Sequence, residues 1–126
     1  FLGDSGSYLI GASAGILAVG GAMAGYPLAF IGPLTTYAAD TGFTVLLRLR
    51  RGERLTDAHR SHVFQQLIAS GWGHSLTASV TVAFTAVSAA LSVFALRTSF
   101  ISDVLLGGSI VAVNVTFFLL PRFANR

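Results

Sequence analysis

Charged residues are absent from Ser5 to Ala39, and apolar positions dominate most of the remaining chain, interrupted by one long polar stretch at 48–75. As one helix the uncharged run would extend roughly 50 Å, well beyond a hydrocarbon core of about 30 Å. It must therefore break. Gly25-Tyr26-Pro27 is the place, because Tyr suits a membrane–water interface and Pro suits the first turn of a helix. The pattern predicts a first span over 7–25 and a second over 28–47. LTASVTVAFTAVSAALSVFAL, residues 76–96, is a third, and a fourth runs over 101–120, ended by Pro121 and the basic tail RFANR. The implied fold class is all-α: a polytopic membrane protein, one membrane domain over 1–126, with four transmembrane helices and a loop at 48–75 between the second and third.

The first span reads YLIGASAGILAVGGAMAGY, with Gly11 and Gly15, then Gly21 and Gly25, four residues apart. Small residues at that spacing let helix backbones approach closely in lipid. The third span, rich in Ala, Ser and Thr, carries the same expectation of tight helix packing.

Composition agrees with the pattern. Of 126 residues, 53% are hydrophobic and 10% charged, against about 25% charged in a soluble domain. Mean hydropathy is +0.72. With no cysteine, disulfides, thiolate metal sites and cysteine nucleophiles are excluded. The chain starts at Phe1 without a signal-peptide pattern, and is expected to be a piece of a longer protein.

All eight basic residues are Arg; five lie in 48–75, two in the C-terminal tail, and Arg97 stands alone in the opposite set of loops. By the positive-inside bias, the 48–75 loop and both chain ends face the cytoplasm. A pI near 10.2 alone would suggest nucleic acid, but a five-Arg loop tethered between spans is accounted for by topology, so no nucleic-acid partner is expected.

Four features bear on chemistry. Asp40 lies inside the second span, where an ionisable group costs roughly 2.5–3.5 kcal/mol on insertion scales; it either pairs with an Arg for structure or marks a site. Asp4, in FLGDSGS, is either a helix cap or a hard-cation ligand, with Gly3 and Gly6 allowing a phosphate to approach the backbone. In HRSH, His59 and His62 would share one face of a helix capped by Thr56-Asp57, with Arg60 beside them, a set suited to phosphate rather than zinc. Arg48, Arg50, Arg51 and Arg54 can equally be headgroup anchors. His74, beside Trp72, is open between an interfacial residue and a site.

Three stretches in this order, FLGDSGS (1–7), PLTTYAADT (33–41) and RRGERLTDAHRSHVFQQL (50–67), resemble the C-terminal part of the polyprenyl-phosphate N-acetylhexosamine-1-phosphate transferases. That superfamily includes phospho-N-acetylmuramoyl-pentapeptide transferase and the undecaprenyl-phosphate GlcNAc-1-phosphate transferases. The resemblance covers residues 1–75 by motif and the last two spans by topology. It implies a bacterial inner-membrane enzyme, active on its cytoplasmic face, that transfers a sugar-1-phosphate from a UDP-N-acetylhexosamine to undecaprenyl phosphate with Mg²⁺ and releases UMP.

Carried over by position, the resemblance implies that Asp4 binds Mg²⁺ and that His59, Arg60 and His62 bind the nucleotide-sugar pyrophosphate. It adds Gly6, Ser7 and Arg51 as substrate-binding residues and Asp40 as a second catalytic carboxylate. HRSH in place of three adjacent histidines points to the GlcNAc-like or O-antigen-initiating branch. The family's paired aspartates, which precede the FLGDSGS motif, are not in this chain. The implied partners are the UDP-sugar, undecaprenyl phosphate and membrane lipid, a homo-oligomer also being allowed. The competing reading is a non-catalytic four-span module or transporter subunit, with Asp40 lining a polar pathway and the Arg loop on anionic lipid.

Overall fold

The computed structural model describes residues 3–54, 62–97 and 100–124. All of the regular structure there is helical: α1 (Gly3–Met23), α2 (Pro27–Ile31), α3 (Thr35–Arg50), α4 (Val63–Ala69), α5 (His74–Phe94) and α6 (Phe100–Ala124), with 3₁₀ turns at Gly32–Leu34 and Ala95–Arg97.

Helix ends follow local chemistry. At the end of α1 the Gly25 N–H reaches the Ala22 carbonyl at 3.1 Å and the Tyr26 N–H reaches the Gly21 carbonyl at 2.9 Å. This pair satisfies two carbonyls left over at a helix end and requires a left-handed residue, which Gly25 supplies at φ 90°. Pro27 then opens α2, where its missing N–H costs nothing. The same device closes α3, with Gly52 at φ 69° and the Glu53 N–H on the Arg48 carbonyl at 3.0 Å. It also closes α4, through Trp72 and Leu67.

The expected second span is not one α-helix. Pro33 cannot donate an N–H, and its ring would collide with the carbonyl four residues back, so the path passes from α2 through a 3₁₀ turn into α3. Thr35 Oγ1 donates to the Gly32 carbonyl at 2.6 Å across this turn. The α3 portion is 16 residues, short of the roughly 20 needed to cross a hydrocarbon core. Among the described residues three helical stretches are long and apolar enough to span a membrane: Gly3–Met23, His74–Phe94 and Ser102–Ala124. The third begins two residues earlier than the pattern predicts. Pro121 does not stop the fourth, lying buried inside α6.

Polarity runs inside out. On α3 the buried residues are Thr36, Asp40, Thr44 and Arg48, a single stripe of every fourth position, while Tyr37, Phe43, Leu46 and Leu49 are exposed. On α5 Thr77, Ser88 and Ser92 are buried and Val82, Val93 and Phe94 exposed. Water would favour the opposite arrangement; a lipid solvent favours this one, since it matches the apolar surface and leaves polar groups to find one another.

The bundle proper is formed by α2, α3, α5 and α6. At its Arg-rich end α4 packs across α5 and α6, with Val63, Leu67 and Phe117 at the centre of an apolar cluster flanked by Trp72, Phe84 and Phe118. Helix α1 packs against α2, and the contact is made at Gly21, where the Phe30 ring occupies the space a side chain would need. Gly11 and Gly15 meet no neighbour among the described residues, so the close packing expected of that pair is not seen there.

Candidate functional site

Asp40 sits in the middle of the α3 polar stripe with 9% of its surface exposed. Each of its carboxylate oxygens has a partner. Oδ1 accepts the Val63 backbone N–H at 3.1 Å, and Oδ2 lies 3.1 Å from His62 Nδ1. The first contact satisfies one of the unpaired donors that every helix start leaves, so Asp40 caps α4 from another helix. The second is satisfied with a proton on Nδ1, which orients the imidazole against the carboxylate. A carboxylate is costly to bury alone, and these charge-assisted bonds compensate for it. The partner is therefore an imidazole and a backbone N–H, not the Arg that a structural pairing suggested.

His62 itself precedes α4 with extended backbone, φ −65° and ψ 148°. Its N–H donates to Gln65 Oε1 at 3.3 Å, and its ring stacks on Phe64 with centroids 6.0 Å apart. Helix α4 thus begins at Val63, directly after His62, while the helix expected from Thr56-Asp57 through HRSH lies, His62 apart, outside the described residues. His59 and Arg60, like Thr56 and Asp57, lie outside the described residues.

Two cavities meet at Asp40. One, of about 480 Å³, is lined by Thr36, Asp40, Thr41, His62, Thr81 and Thr85, with Tyr37, Phe64 and Phe117. Here a carboxylate–imidazole pair and a set of hydroxyls face a largely apolar space. Thr36 Oγ1 is buried there and has no hydrogen-bond partner among the described residues. The other, of about 460 Å³, opens on the far side of α4 between α3 and α6.

Arg48 does not reach a headgroup. It is buried at 4% exposure, with Nε 3.3 Å from Glu53 Oε2 and Nη2 bonded to the Arg54 carbonyl, and so fastens the turn after α3. Arg51 is exposed, 3.8 Å from Glu53 Oε1. Arg50 and Arg54 are exposed.

Asp4 is exposed in the first turn of α1, where its charge complements the helix dipole. Gly6 is half-buried, and the Ser7 hydroxyl donates to the Gly3 carbonyl at 3.1 Å. None of these three lines the two cavities at Asp40. Among the described residues no group of three or more His, Cys, Asp or Glu comes together. Asp4 thus offers a single hard oxygen donor, which fits Mg²⁺ as one ligand beside substrate phosphates but does not build a site alone. His74 is exposed at the start of α5.

The sequence reading missed Asn114. It is 7% exposed on α6, and its Nδ2 donates to Thr35 Oγ1 at 3.2 Å and to the Ile110 carbonyl at 2.8 Å, joining α6 to the start of α3. As the one Asn within the fourth apolar segment it carried a signal, since polar residues at membrane depth usually face a partner.

Compared with protein-family models, with curated proteins and with solved structures, the chain matches none.

Proposed function

We propose that this chain takes part in transferring N-acetylhexosamine-1-phosphate from a UDP-sugar to undecaprenyl phosphate at the cytoplasmic face of a bacterial inner membrane. The observation that carries the reading is the Asp40–His62 contact. A carboxylate held inside the bundle anchors the loop that bears HRSH, at the end of the bundle where the arginines collect. The motifs FLGDSGS, PLTTYAADT and RRGERLTDAHRSHVFQQL support it by their order and spacing.

In this reaction an oxygen of the lipid phosphate attacks the β-phosphorus of the UDP-sugar and UMP leaves. Two anions must approach, so cationic donors are needed on the pyrophosphate. His59, Arg60 and His62 supply them, and Asp40 sets the position and tautomer of His62. Asp4 contributes one oxygen to Mg²⁺, which when bound neutralises the diphosphate charge.

The test is UMP release by membranes containing the full-length protein, given undecaprenyl phosphate and a panel of UDP-N-acetylhexosamines. Turnover with at least one sugar is expected, and Asp4→Asn should reduce it by about 100-fold or more while the protein still accumulates in the membrane. Full activity in that variant removes Asp4 from the metal site. No turnover with any sugar favours the non-catalytic module.

A further inference from the structure

The cavity on the far side of α4 has a different character from the one beside His62. Its lining includes Arg48 and Arg51 from the end of α3, Gln66 from α4, and Pro121 and Arg122 from the end of α6. Below these, Phe43 and Phe118 stand with ring centroids 5.2 Å apart, and Phe43 is 49% exposed on the lipid-facing side of α3. The cavity is thus basic at the Arg-rich end and apolar toward the membrane interior.

The charges are available. Asp40 also lines this cavity, deeper than the arginines' opening, and each of its carboxylate oxygens already has a partner, in His62 Nδ1 and the Val63 N–H. Arg48 turns back to Glu53 and the Arg54 carbonyl. The Arg51 contact with Glu53 is long, at 3.8 Å, and exposed, a kind of pair that holds little energy. Arg122, exposed in the last turn of α6, is in no ion pair among the described residues. Two guanidinium groups from separate helices therefore flank one opening.

We infer that this cavity is a binding site for the headgroup of an anionic phospholipid, with its phosphate between Arg51 and Arg122 and its acyl chains over Phe43 and Phe118. Basic pockets between membrane helices at the interface have the chemistry for such headgroups, and guanidinium forks match phosphate oxygens. A soluble anion would gain nothing from the apolar half. The site assigns Arg51 to lipid rather than to the nucleotide sugar. It rests on the membrane reading of the helices and not on transferase activity, so loss of UMP release is not its test.

The test is native mass spectrometry of the full chain in detergent, offered phosphatidylglycerol, phosphatidylethanolamine or inorganic phosphate. Phosphatidylglycerol should be retained in preference to phosphatidylethanolamine. Arg51→Ala/Arg122→Ala should weaken its retention roughly 30-fold, two interfacial charges being lost, whereas Arg50→Ala/Arg54→Ala, which removes equal charge outside the cavity, should not. Arg51→Lys/Arg122→Lys, which keeps the charge, should retain most binding, and circular dichroism should report unchanged helicity in every variant. Equal losses in the two alanine doubles would overturn the assignment. So would equal retention of the two lipids, or displacement of phosphatidylglycerol by millimolar inorganic phosphate.

Discussion

Asp40 Oδ2 lies 3.1 Å from His62 Nδ1 while Asp40 Oδ1 holds the Val63 N–H, so one carboxylate in α3 both orients an imidazole and starts α4, across 22 residues of sequence. Helix α4 has only 7 residues, and a helix this short does not hold itself together without tertiary support.

Removing that support should loosen α4. Asp40→Ala deletes a charge-assisted cap, with an expected local cost of roughly 1.5–3 kcal/mol. Amide hydrogen exchange over 63–69 should then quicken by about tenfold or more. Asp40→Asn keeps an acceptor for Val63 and should retain much of the protection. Identical exchange in wild type and Asp40→Ala would show that packing of Val63 and Leu67 suffices.

Gly32 and Gly11 should respond differently to alanine. A Cβ on Gly32 would fall on the Ser92 side chain, itself fully buried and bonded to the Ser88 carbonyl at 2.6 Å. Overpacking of this kind costs roughly 1–3 kcal/mol, read as a lower melting temperature in detergent. Gly11 faces nothing within 4 Å, so Gly11→Ala should leave the midpoint unchanged or raise it slightly through helix propensity. A larger drop at Gly11 than at Gly32 would contradict this placement of α1.

Asn114 and Thr35 should prove coupled. In a double-mutant cycle with Asn114→Ala and Thr35→Ala, the interaction energy expected for a side-chain bond between membrane helices is about 0.6 kcal/mol, up to roughly 2. Additive effects would mean that the 3.2 Å contact contributes nothing measurable.

Arg48 should matter more than its exposed neighbours. Arg48→Ala leaves Glu53 and the Arg54 carbonyl without their buried donor, an expected loss of about 1.5–3 kcal/mol, with faster proteolysis at 51–54. Lysine should rescue little, because one ammonium cannot replace a fork that reaches two acceptors. Arg50→Ala should change neither measurement.

Topology is directly accessible because the chain has no cysteine. Single cysteines at Arg54 and at Ala24, both exposed, should be labelled from opposite sides of the membrane if α2, the 3₁₀ turn and α3 together cross it. Labelling from the same side would mean that this broken segment enters and returns.

The long apolar helices α1, α5 and α6 were legible in the sequence because lipid imposes long apolar runs, and the break after α1 because Gly25 and Pro27 announce it by backbone chemistry alone; α4, inside the polar 48–75 stretch, was not. The every-fourth spacing of Thr36, Asp40, Thr44 and Arg48 also stands in the sequence, and it fixes one polar face of α3. What that face meets does not follow from spacing. Asp40 finds His62 only because α4 folds back across α5 and α6 on Leu67 and Phe117, a long-range contact that no local propensity encodes. The break at Pro33 is a local effect that a hydropathy pattern averages away, since hydropathy registers polarity and not a missing N–H. Arg48 looked like its exposed neighbours in sequence and is instead buried, because only the turn at Gly52 brings Glu53 and the Arg54 carbonyl within its reach.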